Sequence, residues 1–159
     1  SAPEYIKAKT AATFEDYRRT LNESLQEGNY DWGIFTAAVA DFQPESVFEG
    51  KLPSNQKQLS LKLVPTVKVI EEVRQNFPEL KMVTFKYEEN ISHEKLMEIA
   101  KKRLSEKVGS QLVVANRVEE FKQDGTQVAW LLESKQEPQK HIGKKDIANA
   151  ILDRIELTA

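Results

Sequence analysis

Gly33-Ile34-Phe35-Thr36-Ala37-Ala38-Val39-Ala40-Asp41-Phe42 is an apolar run of small residues that ends on a carboxylate. Such a run reads as a strand over Ile34 to Ala40 buried on both faces, and in an open parallel sheet ligands sit beyond the carboxyl ends of strands like this. Asp41 is therefore a site candidate. The pattern recurs where Met82-Val83-Thr84-Phe85 runs into Lys86-Tyr87-Glu88-Glu89, and where Leu112-Val113-Val114-Ala115 runs into Asn116-Arg117. Lying side by side, these strands would bring Asp41, the Phe85 to Glu88 segment and Asn116 to one mouth with a mixed polar and aromatic lining. Every buried strand must also end in something polar where it meets solvent, so a plain strand boundary stands as the competing reading.

The flanking sequence supplies the rest of an α/β chain. A weak strand is expected around Tyr5 to Thr10. Thr13 can then cap a helix whose Phe14, Tyr17, Leu21 and Leu25 share one face, ended by Gly28 and Asn29. After Asp41 a long polar loop runs to Lys57. Leu59, Leu61 and Leu63 alternate as a half-buried strand, and Val67, Ile70, Val73 and Phe77 recur at helical spacing. Leu80 to Phe85 reads as strand. Ser92 caps a helix carrying Leu96, Ile99, Ala100 and Leu104, Gly109 closes it, and Leu112 to Ala115 follows as strand. This β-α-β-α-β order implies parallel pairing with right-handed crossovers. The segment to Phe121, the Asp124-Gly125 turn and Gln127 to Leu132 read as an antiparallel hairpin, before a last helix over Asp146 to Leu157.

With 159 residues, 40% hydrophobic and 30% charged, the chain has the size of one domain able to bury a core without staples. Lys plus Arg number 23 against 25 Asp plus Glu, so no basic field recruits nucleic acid or an anionic membrane. The absence of cysteine removes disulfides, thiolate nucleophiles and cysteine metal sites, and agrees with a cytoplasmic address. Ser1-Ala2-Pro3-Glu4-Tyr5 has no signal-peptide pattern, and no window approaches the roughly 18 apolar residues of a membrane span. The glycines are scattered singly, with neither GxGxxG nor GxxxxGK[ST] among them, so no glycine-rich phosphate loop follows a strand here.

Four blocks in order, Ala37-Ala38-Val39-Ala40-Asp41-Phe42, Lys51-Leu52-Pro53-Ser54, Phe85-Lys86-Tyr87-Glu88 and Val113-Val114-Ala115-Asn116, resemble the phosphopantothenate-cysteine ligase family. The resemblance runs from about residue 5 to the final helix. It implies a Rossmann-like three-layer α/β fold with a mainly parallel sheet and an antiparallel C-terminal extension used in dimer formation. It implies an enzyme of coenzyme A biosynthesis, in many bacteria fused to a flavin-dependent decarboxylase. The carboxylate of 4'-phosphopantothenate is activated by CTP or ATP with Mg2+, and the acyl nucleotidylate is attacked by the amine of cysteine.

Carried over residue by residue, the resemblance makes Asp41 the aspartate of the nucleotide site, with the backbone of Thr36 and Ala37 approaching the same nucleotide. Lys51, ten residues on, matches a lysine on a mobile loop over the phosphates and becomes the catalytic candidate. A cation there would stabilise the charge that builds on phosphoryl and acyl oxygens. Phe85 matches an aromatic packing on the base, Lys86, Tyr87 and Glu88 the adjoining nucleotide segment, and Asn116 the asparagine closing the next strand. The family's first strand and phosphate loop have no counterpart, so the chain resembles a single domain comprising the C-terminal two-thirds of the ligase domain, with little or no activity alone. Val64-Pro65-Thr66-Val67-Lys68 stands where bacterial members carry Lys-Thr/Asn-Pro, which leaves CTP and ATP both open.

Plainer readings stand beside these. Lys51 could be a solvated loop lysine, Asp41 a turn cap, and Phe85 ordinary core. Glu88-Glu89, His93 and His141 are not assigned a metal or a catalytic role. Trp32 and Trp130 are expected as core or interface anchors, and Lys101-Lys102-Arg103 as a solvated helix face. The alternative to a ligase is a non-catalytic nucleotide-binding or dimerisation domain.

Overall fold

A computed structural model describes residues 3, 5–52, 57–105 and 108–157. Pro53 and Ser54 of the block around Lys51, and Ser1, Ala2 and Glu4 at the start, lie outside the described residues. The elements are α1 (Phe14–Glu27), β1 (Trp32–Phe35), β2 (Phe42–Pro44), β3 (Leu63–Pro65), α2 (Val69–Asn76), β4 (Lys81–Glu88), α3 (His93–Ser105), β5 (Leu112–Arg117), a 3-10 turn (Val118–Glu120), β6 (Val128–Glu133), β7 (Gln139–Ile142) and α4 (Lys144–Glu156).

The main sheet has the order β1-β4-β5-β6-β7, with β1, β4 and β5 parallel and β6 and β7 antiparallel to their neighbours. Side-chain alternation then sorts residues to two faces. Val83, Leu112 and Val114 meet Ile147, Ala150 and Ile151 of α4. On the other face Val113 and Ala115 meet Leu96 and Ala100 of α3, and Met82 meets Val69 and Val73 of α2, over which α1 lays Phe14, Tyr17, Leu21 and Leu25. The result is the expected three-layer α/β architecture. Local chemistry sets the helix starts: the Thr13 hydroxyl accepts from Asp16 N at 3.1 Å while Thr13 N donates to the Asp16 carboxylate at 3.3 Å, a capping box. The Ser92 hydroxyl likewise accepts from Lys95 N at 3.2 Å.

Several expectations are corrected. Residues 5–10 form no strand, and Tyr5 and Ile6 are exposed. The strand expected over Ile34 to Ala40 is Trp32–Phe35 and is not buried on both faces: β1 lies at the sheet margin, with Ile34 48% exposed. After Phe35 the chain leaves the sheet, and the carbonyls of Ala40 and Asp41 are taken by Thr66 Oγ1 at 2.6 Å and Thr66 N at 3.0 Å. Thr66, itself buried, thereby fastens the base of a separate two-stranded ribbon, β2 on β3. The alternating leucines belong to this ribbon and its approach, so Leu59, Leu61 and Leu63 are exposed rather than half-buried. The C-terminal hairpin is built into the main sheet: β6 sits between β5 and β7, and β7 was not foreseen.

Arg18 clasps α1 to α2 through a bidentate pair, Nε to Glu72 Oε2 at 2.6 Å and Nη2 to Oε1 at 2.8 Å. The Arg18 guanidinium holds the Glu72 carboxyl below its ordinary value of 4.5. A carboxyl depressed in the folded state contributes stability above its unfolded pKa and loses it as pH falls through the folded one. Glu72→Gln is therefore expected to lower the urea midpoint at pH 7 and to close most of that gap well below pH 4.5. An equal gap at both pH values in parallel urea titrations would show that the charge pair contributes nothing.

Candidate functional site

A cleft of about 730 Å³ opens above β4 between α2 and α3, within the size range of small-molecule sites. Its walls come from the Phe35 to Asp41 segment, the start of α2, Thr84 to Lys86 of β4, the later turns of α3, and Tyr17 of α1. Crossover connections place the start of α2 and the carboxyl ends of β1 and β4 at the same end of the sheet, where the sequence locates a site.

Asp41 stands at the ribbon base and pairs with Lys68, the residue immediately before α2. The Lys68 hydrogen bond and charge, with smaller effects of Lys86 and Arg103, hold the Asp41 carboxyl below its ordinary value. Lys86 pairs with Glu88 at 2.5 Å, and Lys102 with Glu98 at 3.3 Å. Arg103, half-buried on the cleft wall, has no side-chain ion pair among the described residues. The cleft thus combines four cationic side chains, Lys68, Lys86, Lys102 and Arg103, with a guanidinium free to receive an anion in forked geometry.

Of the sequence candidates, Ala37, Asp41, Phe85 and Lys86 line this cleft. Thr36 is exposed beside it and is not part of the lining. Phe85 borders the cleft, but its ring packs with the cluster under α4. Asp41 and Asn116 do not share a mouth. Asn116 opposes Tyr87 in the β4–β5 register, and alternation from Leu112 and Val114 turns it to the α4 face. Tyr87 lies on that same face by alternation from Phe85. It donates to Glu89, with its ring 6.4 Å from that of Phe121. Glu88 is held by Lys86. Lys51 is exposed in the loop between β2 and β3 and does not line the cleft.

Sequence reasoning missed Tyr17, Lys68 and Arg103, and placed Lys102 and Arg103 on a solvated face. The signal for Arg103 was present: Leu96 and Ala100 are buried on α3, and Arg103 continues their stripe three residues on. Among the described residues no group of three or more His, Cys, Asp and Glu side chains could hold a metal ion. No helix among them is long and apolar enough to cross a membrane.

A second polar cluster follows β5. Glu120 accepts from Arg117 Nε at 3.0 Å and Trp130 Nε1 at 2.6 Å, and lies 2.7 Å from His93 Nδ1. A carboxylate can only accept, so the proton of this His93 bond sits on Nδ1. Burial works to raise the Glu120 carboxyl, but the donors from Arg117, Trp130 and His93 outweigh it and its pKa falls below 4.5. Trp130 is an anchor as expected, with the His93 ring 4.7 Å from its own.

The model of the DNA/pantothenate metabolism flavoprotein C-terminal domain family matches residues 1–158. The chain belongs to this family. It is similar to proteins named coenzyme A biosynthesis bifunctional protein CoaBC: 31% identical over 157 residues in Thermococcus kodakarensis, covering 98% of this chain and 38% of that one. In Methanocaldococcus jannaschii the identity is 32% over 156 residues, 97% of this chain and 37% of the other. The chain therefore spans less than two-fifths of these relatives. The crystal structure of the DNA/pantothenate metabolism flavoprotein from Streptococcus pneumoniae shares the fold, with TM-score 0.85 at 22% identity, over 100% of this chain and 76% of that one. The C-terminal domain structure of a CoaBC protein matches with TM-score 0.73 at 21% identity, over 99% and 68% of the two chains.

Proposed function

We propose that this flavoprotein C-terminal domain is part of a phosphopantothenate-cysteine ligase of coenzyme A biosynthesis. The observation that carries the reading is the family match over residues 1–158; the cation-lined cleft at the carboxyl ends of β1 and β4 agrees with it. In the reaction, a carboxylate oxygen of 4'-phosphopantothenate attacks the α-phosphorus of CTP or ATP and pyrophosphate leaves. The cysteine amine then attacks the acyl carbon, the nucleoside monophosphate leaves, and an amide forms. Arg103, Lys68 and Lys86 would hold phosphate oxygens, Asp41 would orient Lys68, and Lys51 would act from the ribbon loop. Ala37 and Phe85, which border the cleft, and Thr36 beside it would approach the nucleotide as the resemblance implies; Tyr87, Glu88 and Asn116, which do not line the cleft, would take their implied roles only where the nucleotide extends past the strand ends. Mg2+ would arrive with the triphosphate, whose hard phosphate oxygens supply its ligands.

On this reading the chain is a single domain making up the C-terminal two-thirds of a ligase domain, working in the cytoplasm. The relatives' printed name, a bifunctional protein, supports a polypeptide that also carries a flavin-dependent decarboxylase. The deciding experiment assays pyrophosphate release by the complete protein with CTP or ATP. Release that requires both nucleotide and 4'-phosphopantothenate, followed by cysteine-dependent amide formation, is the expected result. Pyrophosphate release indifferent to the acid would end the ligase reading.

The ribbon supports the alternative of a dimerisation role. Phe42, Val47, Phe48, Leu59, Leu61 and Leu63 each leave 52% to 90% of their surface exposed. Together they present apolar area on the order of the 800 Å² that each partner gives to a standard interface. A homodimer through this ribbon is expected in sedimentation, with Leu61→Glu shifting it to monomer; a wild-type monomer at high concentration would remove the ribbon as an interface.

A further inference from the structure

Tyr17 is the cleft residue that neither the motifs nor the ion pairs account for. It comes from α1, a helix whose other inward side chains, Phe14, Leu21 and Leu25, pack on α2. Its ring joins that packing, while the residue also lines the cleft beside Phe35, Val39 and Ile70. Its hydroxyl makes no hydrogen bond among the described residues and is not sealed from solvent. A phenol with a packed ring and an open hydroxyl is a rigid, amphipathic contact that usually finds a polar partner when covered. Burial raises the phenol pKa, so the group is neutral near pH 7 and can both donate and accept. The cations of the cleft come from other elements: Lys102 and Arg103 from α3, Lys86 from β4, and Lys68 from the lead into α2. A ligand touching both walls therefore needs an anionic part for the cations and an uncharged hydrogen-bonding part for the α1 wall.

We infer that Tyr17 is a specificity-determining residue of the cleft, its hydroxyl hydrogen-bonding the uncharged nucleoside part of a nucleotide whose phosphates lie against Arg103 and the lysines. This rests on the nucleotide-binding reading above. Calorimetric titration of the complete protein with ATP, CTP and inorganic tripolyphosphate tests it, because tripolyphosphate offers the anion without the nucleoside. Tyr17→Phe removes only the hydroxyl and keeps the packed ring. It is expected to weaken the better-bound nucleotide about five- to tenfold, the loss of one neutral hydrogen bond, and to leave tripolyphosphate affinity and thermal stability unchanged. A purely structural Tyr17 would move stability, or both ligands alike. Equal nucleotide affinity in wild type and Tyr17→Phe overturns the inference and leaves the cleft's nucleotide role standing. Failure of wild type to bind either nucleotide overturns both.

Discussion

Lys51→Gln in the complete protein is expected to lower kcat about 10²- to 10³-fold, with nucleotide KM changed far less. That is the size of effect seen when one preorganised group facing developing charge is removed. Charge accumulates on the phosphoryl oxygens as pyrophosphate leaves, and on the acyl oxygen as the amine attacks. A cation that tightens on those oxygens acts on the transition state more than on the bound substrate, which is why kcat falls rather than KM rises. Gln keeps the reach and polarity of the chain while deleting its charge. The measurement is steady-state pyrophosphate release, with Lys51→Arg as the charge-retaining comparison. Lys51 lies exposed outside the cleft, so activity equal to wild type in Lys51→Gln would identify it as a solvated loop residue.

Glu120→Ala is expected to destabilise the fold by about 3 kcal/mol, since it leaves several donors without their shared acceptor in a half-sealed site. The Glu120 side chain is 14% exposed and those of Arg117 and His93 are 17% and 33%. Water can therefore replace the carboxylate only in part. The cluster ties the turn after β5 to the start of α3 and to β6, so its loss loosens three elements at once. For a domain of this size the change corresponds to a fall in melting temperature of about 6–12 °C. Glu120→Gln, which retains an acceptor oxygen, should lose roughly a third of that. Calorimetric scans of the two variants decide it: equal melting of Glu120→Ala and wild type would mean that the cluster is not holding these elements.

The parts of this fold that were legible in sequence are those where pattern and environment agree. The Thr13 to Asp16 cap, the stripe of α1 and the parallel trio β1, β4 and β5 follow from local chemistry and from periodicity over buried faces. The errors arose where tertiary surroundings override pattern. Residues 36–40 look like strand because they are small and apolar, yet Thr66, 26 residues after Ala40, takes the carbonyl that a neighbouring strand would otherwise use. Leu59, Leu61 and Leu63 alternate correctly for a strand, but their ribbon has no core beneath it, and alternation cannot report what a face will meet. The site divided in the same way. Ala37, Phe85 and Lys86 reach one cleft because the adjacent parallel strands β1 and β4 end together, and Asp41 is returned to it at the ribbon base by Thr66 and Lys68. Asn116 does not, because a strand end alone leaves open which face its last side chain takes. The ligase reading consequently rests on family membership and the cation-lined cleft rather than on a mouth shared by Asp41 and Asn116.

The position of β1 also bears on how the domain behaves in solution. Among the described residues, Trp32, Gly33, Ile34 and Phe35 pair only with β4, and no charge or proline among them repels an arriving polypeptide. Unsatisfied main-chain groups in such a row can template another extended chain, which natural domains guard against with lysines, bulges or a covering segment. Concentrated stocks of the isolated domain are accordingly at risk of slow intermolecular β-stacking there, and anything that occupies that row would protect its solubility without touching the cleft.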